Sequence, residues 1–117
     1  MNNRDKNIVL KIIRYCNEIK KTHDYFQDRK DIFLNQQEGF VYRNSITMPI
    51  LQIGELAKHL SDDFLKECPE IQWRQIKGIR DIFAHHYSSV DFTFVWQTAH
   101  EDIDVLMRIL EKAVADS

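Results

Sequence analysis

Apolar residues recur at intervals of three and four along most of the chain, the spacing of helices with one buried side. The pattern predicts four main helices, over about residues 5–28, 38–60, 72–85 and 92–115. The last has the most regular stripe, formed by Phe92, Val95, Ala99, Ile103, Leu106, Leu110 and Val114. No segment shows a strand pattern. We therefore expect an all-α fold, an up-and-down four-helix bundle with one or two short extra helices near residues 32–34 and 61–68.

Two residues inside the second helix bear on its shape. Pro49 lacks a backbone N–H, so it is predicted to kink the helix or to mark a new start near Thr47. Gly54 is predicted to permit close approach of another helix, since glycine within a helix otherwise costs about 1 kcal/mol. Further along, Asp91 is a suitable N-cap for the last helix.

Length and composition narrow the class of protein. A chain of 117 residues is predicted to form one domain, residues 1–117, and 44% apolar with 29% charged residues is ordinary for a soluble globular protein. The net charge of −2 gives no general attraction for nucleic acid, so RNA binding would need a local basic patch. Neither a membrane span nor a signal peptide is visible, so a cytoplasmic location is predicted. Cys16 and Cys68 are isolated in the sequence, so both are predicted to be free thiols.

Candidate chemistry is concentrated in the segment that runs from Arg80 to Tyr87. Arginine grips phosphate through two parallel hydrogen bonds, and histidine moves protons near neutral pH. Arg80 and His85 together therefore suggest phosphodiester chemistry without a metal.

Helical geometry places these residues around the third helix, at 100° per residue. Ile76, Ile79 and Phe83 define the buried side, and Arg80 lies on its flank; the opposite side carries Arg74, Lys77, Asp81 and His85. Asp81 is four residues before His85, so its carboxylate is predicted to orient the imidazole. Arg80 and His85 are about 140° apart. A working site thus needs a helix that ends near His85, an extended arginine, or a second subunit.

The same spacing also describes an ordinary solvated helix face. Asp81 and His85 would then form a surface pair worth less than about 1 kcal/mol. Spacing alone does not separate this interpretation from a catalytic site.

The second half of the chain resembles the HepT-like (DUF86) branch of the HEPN superfamily. The resemblance rests on three segments in order: residues 53–58 with their Ile-Gly-Glu run, the tryptophan segment 72–80, and residues 85–87. The key motif is arginine, four residues, histidine, any residue and tyrosine, matched by Arg80, His85 and Tyr87. The clear match covers roughly residues 50–110.

The resemblance implies a helical bundle that dimerises and acts as a metal-independent endoribonuclease, the toxin of a type II/VII-like toxin–antitoxin system. The implied catalytic residues are Arg80 and His85. Arg74 and Lys77 form a local basic surface with them on the third helix, and this surface is predicted to bind the RNA backbone. The usual partner is an MNT-type nucleotidyltransferase antitoxin, which neutralises the toxin by transferring AMP from ATP to the motif tyrosine, here Tyr87. Many relatives have asparagine after the arginine where this chain has Asp81, which adds negative charge beside the phosphate site. The alternative is a catalytically inactive HEPN module, a scaffold or modification substrate of a nucleotidyltransferase.

Other residues of interest receive structural interpretations. His23, His59 and His100 lie on three different predicted helices without the spacing of a zinc site, so neither a metal nor a cofactor is predicted. Glu55 is either a surface charge or part of a helix contact near the cleft. Residues 92–96 nearly encircle the start of the last helix, which predicts a buried interface there and favours a homodimer.

Overall fold

The computed structural model describes the backbone of all 117 residues and every side chain except those of His86 and Tyr87. Its helices are α1 (Asn3–Tyr25), α2 (Lys30–Phe33), α3 (Phe40–Ala57), α4 (Asp62–Glu67), α5 (Trp73–His86), α6 (Phe92–Gln97) and α7 (Ile103–Ala115). A 3-10 turn covers Tyr87–Ser89, and a π turn, Thr98–Asp102, joins α6 to α7. The described residues include no strand, which confirms the predicted all-α bundle with two short extra helices.

The core lies between four long helical stretches. α3 packs against both α1 and α5, and α1 also packs against α7, so α3 is the central helix on the side that carries the motif. The predicted inner faces are buried, including Ile76, Ile79 and Phe83 on α5. Among the described residues, no helix is both long and apolar enough to span a bilayer.

Polar contacts fix the ends of the shorter elements. The buried carboxylate of Asp5 accepts hydrogen bonds from the backbone N–H and the hydroxyl of Ser61, at 3.0 and 2.6 Å, which ties α1 to the start of α4. Trp73 packs into the core and donates its indole N–H to the carbonyl of Cys68 at 3.1 Å. This bond anchors the first residue of α5. Asp91 caps α6 as predicted, accepting from the N–H of Thr93 at 2.9 Å.

Two helices differ in detail from the sequence pattern. α3 runs through Pro49 without interruption, so the new helix start considered near Thr47 does not occur. The last predicted helix is divided by the π turn, which inserts one extra residue per turn and rotates the side chains that follow. The spacing of apolar residues does not reveal the π turn, because the same intervals of three and four continue on both sides of it.

Gly54 lies where α3 and α5 come closest, as its sequence context predicted. A Cβ built on Gly54 would be 2.9 Å from the carbonyl oxygen of Ile76 and 3.1 Å from the Cβ of Arg80. Contact with a backbone atom cannot be relieved by a side-chain rotation. A side chain at this position would therefore push α5 away from α3.

We expect Gly54→Ala to destabilise the protein by about 1–3 kcal/mol, because overpacking at a helix contact displaces backbone. Gly78→Ala is the matched control: it lies within α5 with nothing within 4 Å of the added Cβ, and should stabilise by up to about 1 kcal/mol through helix propensity. Urea denaturation measures both. Equal effects of the two substitutions would contradict the assigned contact.

Candidate active site

Arg80 emerges from α5 beside α3, on the flank of the buried stripe as predicted. Its side chain is 41% exposed, and its Nε lies 3.1 Å from a carboxylate oxygen of Glu55 on α3. Glu55 can make this contact because Gly54, its neighbour, lets the two helices approach. The contact holds the guanidinium at the edge of the bundle rather than free in solvent.

Asp81 is drawn into the same cluster of charges. Its carboxylate lies 3.1 Å from Nζ of Lys58 and 3.3 Å from Nη1 of Arg80. Lys58, and after it Arg80, lowers the pKa of Asp81 below its ordinary value. Asp81 is therefore an anion at neutral pH, and the four side chains, Glu55 with Lys58, Arg80 and Asp81, carry no net charge together.

His85 lies apart from this cluster, on the exposed side of α5. The described hydrogen bonds and ion pairs include none between His85 and either Arg80 or Asp81. The orienting role predicted for Asp81 therefore stays a prediction, since its carboxylate faces Lys58 and Arg80. α5 continues to His86, so the helix does not end early enough to turn the two motif residues toward each other.

An open groove follows the line between α3 and α5 next to the guanidinium. It has a volume of about 300 Å³ and is lined by Leu51, Gln52, Glu55, Arg80, Phe83 and Ala84. Arg74 is exposed and Lys77 is half-buried on the neighbouring turns of α5. The assignment of Tyr87 as an AMP acceptor lies outside the described side chains.

A second groove, between α5 and the start of α6, is almost wholly apolar. Ile82 and Phe94 line it from opposite sides and remain 45% and 47% exposed. This surface, defined by Ile82 and Phe94 and called the apolar groove below, adjoins the side of α5 that carries His85.

Sequence reasoning left the role of Glu55 open and gave none to Lys58. These residues are three apart, Glu55 in the last turn of α3 and Lys58 directly after the helix in helical conformation, so they lie on the same side, and Gly54 beside Glu55 marked where a neighbour would approach. The sequence therefore contained evidence for a helix contact at Glu55 and Lys58. It did not indicate that the facing residues would be Arg80 and Asp81.

The profile of the Ribonuclease HepT-like family matches residues 7–113 of the chain. A Methanocaldococcus jannaschii protein named Putative RNase MJ1380 is 25% identical over 97 residues, covering 80% of this chain and 86% of that protein. Another from the same organism, Putative RNase MJ1216, is 29% identical over 98 residues, with 80% and 81% covered. Probable ribonuclease HepT of Thermococcus cleftensis is 42% identical over 60 residues, 51% of this chain and 54% of that protein. No solved structure matches.

Proposed function

The chain belongs to the HepT-like ribonuclease family, and we propose that it is a metal-independent endoribonuclease with Arg80 and His85 as its catalytic residues. The observation that supports this most is the placement of Arg80. Glu55 fixes the guanidinium through Nε at the edge of an open groove, and the Asp81 contact uses one further nitrogen. Arginine has five N–H donors, so the rest of the fork stays available for a phosphate.

The proposed reaction is attack of an RNA 2′-hydroxyl on the adjacent phosphorus. His85 accepts the hydroxyl proton, the P–O bond to the next nucleotide breaks, and the leaving 5′-oxygen takes a proton from solvent water, which leaves a 2′,3′-cyclic phosphate and a free 5′-hydroxyl. Such general acid–base help accelerates reactions about 10²–10⁴-fold. Arg80 binds the non-bridging oxygens and stabilises the negative charge that develops there. Arg74 and Lys77 bind neighbouring phosphates of the strand.

Asp81 places a negative charge beside the proposed phosphate site, and its ion pair with Lys58 offsets that charge. Lys58 lies within 3.1 Å of that carboxylate and compensates its charge. A phosphate arriving at Arg80 therefore meets a locally neutral cluster and not a net negative one. In this proposal Asp81 also positions His85 once RNA is bound.

Dimerisation completes the site in this proposal. Within one chain, Arg80 faces α3 while His85 lies about 140° around α5 and about 7.5 Å along it. A second copy docked on the apolar groove would cover the side of α5 that carries His85 and bring its own motif residues to the same cleft. We propose that Arg80 of one protomer and His85 of its partner act on one phosphate.

The biological role we propose is that of a cytoplasmic toxin controlled by an MNT-type nucleotidyltransferase antitoxin. AMP transferred from ATP to Tyr87 would add bulk and negative charge two residues beyond His85. RNA would then be excluded by occlusion and by repulsion of its phosphates.

A second candidate is the inactive HEPN module that serves as a scaffold or modification substrate. The observation that favours it is the pair of carboxylates, Glu55 and Asp81, within 3.3 Å of Arg80. If phosphate cannot displace either one, the guanidinium is unavailable for catalysis.

RNA cleavage should persist in excess chelator, leave cyclic-phosphate ends and spare DNA, which lacks the attacking hydroxyl.

His85→Ala is expected to reduce the cleavage rate by at least about 10²-fold. Arg80→Ala should reduce it by a similar factor, because the guanidinium stabilises charge on phosphorus. Arg108→Ala is the matched control, since Arg108 is an exposed arginine on α7. Gel analysis of a labelled RNA gives the rates. If the His85→Ala protein cleaved RNA at the parental rate, His85 would have no part in the mechanism.

Phe94→Glu is expected to produce monomers and to lower the cleavage rate together with the dimer fraction, because it puts a charge into the apolar groove. Leu10→Glu is the matched control, as Leu10 is similarly exposed, at 46%, on α1. Sedimentation and cleavage are measured on the same samples. A monomeric Phe94→Glu protein with parental activity would contradict the composite site.

Expression of the parent chain alone should arrest growth, and Arg80→Ala should relieve the arrest. Co-expression of an MNT-type nucleotidyltransferase should restore growth and raise the intact mass of the protein by whole AMP groups. Tyr87→Phe should abolish that mass increase. Harmless expression of a well-folded parent would instead favour the inactive module.

A further inference from the structure

Two histidines that are far apart in sequence come together where the end of α1 meets the π turn. His23 lies in the last turn of α1 and is 6% exposed, while His100 lies in the π turn; their ring centroids are 4.0 Å apart. Asp28, from the loop after α1, lies 2.8 Å from Nε2 of His100 and 3.7 Å from Nδ1 of His23. The two histidines lie on different helical elements, and the fold brings them together beside a carboxylate, which their sequence spacing did not indicate.

Irregular backbone delivers both partners to His23. Gln27 and Asp28 have φ values of 55° and 59°, in the left-handed region that non-glycine residues seldom occupy. This turn folds Asp28 back over the end of α1. His100 is presented by the π turn, and π turns inside α-helices are frequent at functional sites. Two separate departures from regular helix thus converge on one point.

The hydrogen bonding of this cluster is incomplete. Nε2 of His23 is buried without a hydrogen-bond partner among the described residues, whereas Nε2 of His100 lies 2.8 Å from the Asp28 carboxylate. Nδ1 of His23 shares a hydrogen bond with the buried hydroxyl of Tyr42. Buried polar atoms are normally satisfied, so Nε2 of His23 points to a ligand that the described side chains do not supply. A hydrogen bond to a ring nitrogen is also how metal-binding histidines are commonly held in orientation.

We propose that His23, Asp28 and His100 bind one divalent transition-metal ion of the Zn²⁺ type. One ligand atom from each residue lies within 4.8 Å of the other two. Ligands of a tetrahedral zinc are about 3.3 Å apart, given bond lengths of about 2.0–2.1 Å, so small side-chain rotations close the site. Two imidazoles and one carboxylate suit Zn²⁺ and its neighbours, whereas Mg²⁺ and Ca²⁺ favour oxygen ligands alone.

Access fits this assignment. A cavity of about 400 Å³ opens beside the cluster, which leaves room for a water as fourth ligand. The ion would fasten the end of α1 to the C-terminal helical stretch, a role separate from RNA cleavage at Arg80 and His85.

The test is metal binding by the full-length protein after chelator treatment and dialysis. Titration with Zn²⁺ by calorimetry should give one ion per chain and raise the Tm, because the ion binds the folded state. Co²⁺ should give the visible absorption of a low-symmetry site without a thiolate charge-transfer band, since Cys16 and Cys68 are buried elsewhere in the core.

Asp28→Asn and His100→Gln should each weaken Zn²⁺ binding by at least about tenfold, because each removes one of three protein ligands. Asp28→Asn is the safer variant for folding, since Asp28 is 62% exposed and asparagine tolerates the left-handed region. His59→Gln is the matched control, an exposed histidine two residues beyond the end of α3, and should leave affinity unchanged. Absence of binding by the parent, or binding that survives both ligand substitutions, would overturn the assignment.

Discussion

Gly54 lets the backbones of α3 and α5 approach so closely that a Cβ on this residue would be 2.9 Å from the carbonyl oxygen of Ile76. The position of the motif follows from this contact. Glu55, the next residue, reaches Arg80 across the gap, and Lys58 one turn later reaches Asp81. The close approach therefore determines where the guanidinium lies and which charges surround it.

These charges explain how an acidic protein can present a site for RNA. The net charge of −2 supplies no general attraction, and the cluster around Arg80 is locally neutral. In the proposed mechanism, specific contacts of Arg80, Arg74 and Lys77 with individual phosphates must then carry recognition, because long-range attraction is absent. An arginine fixed through Nε by Glu55 at the edge of the groove suits that task, since less side-chain entropy is lost on binding.

The sequence predicted those features that repeat along one helix and missed those that depend on how helices meet. Periodicity gave the helices and the buried side of α5, and Gly54 gave the close contact. Asp81 was predicted to orient His85, four residues away on α5, and this stays a prediction; what the sequence did not indicate is that the Asp81 carboxylate also meets Lys58, just beyond the end of α3. The meeting of His23 with His100 was likewise missed, because a π turn changes the direction of the second ring and leaves no trace in composition.

The most direct test of the composite site is cleavage by a heterodimer purified through two different tags. Pairing an Arg80→Ala chain with a His85→Ala chain should leave one intact site of two and about half of the parental activity. Pairing a parental chain with a chain that carries both substitutions should leave no intact site. The reverse pattern, activity in the second heterodimer and none in the first, would show that both residues act within one chain and would contradict the account.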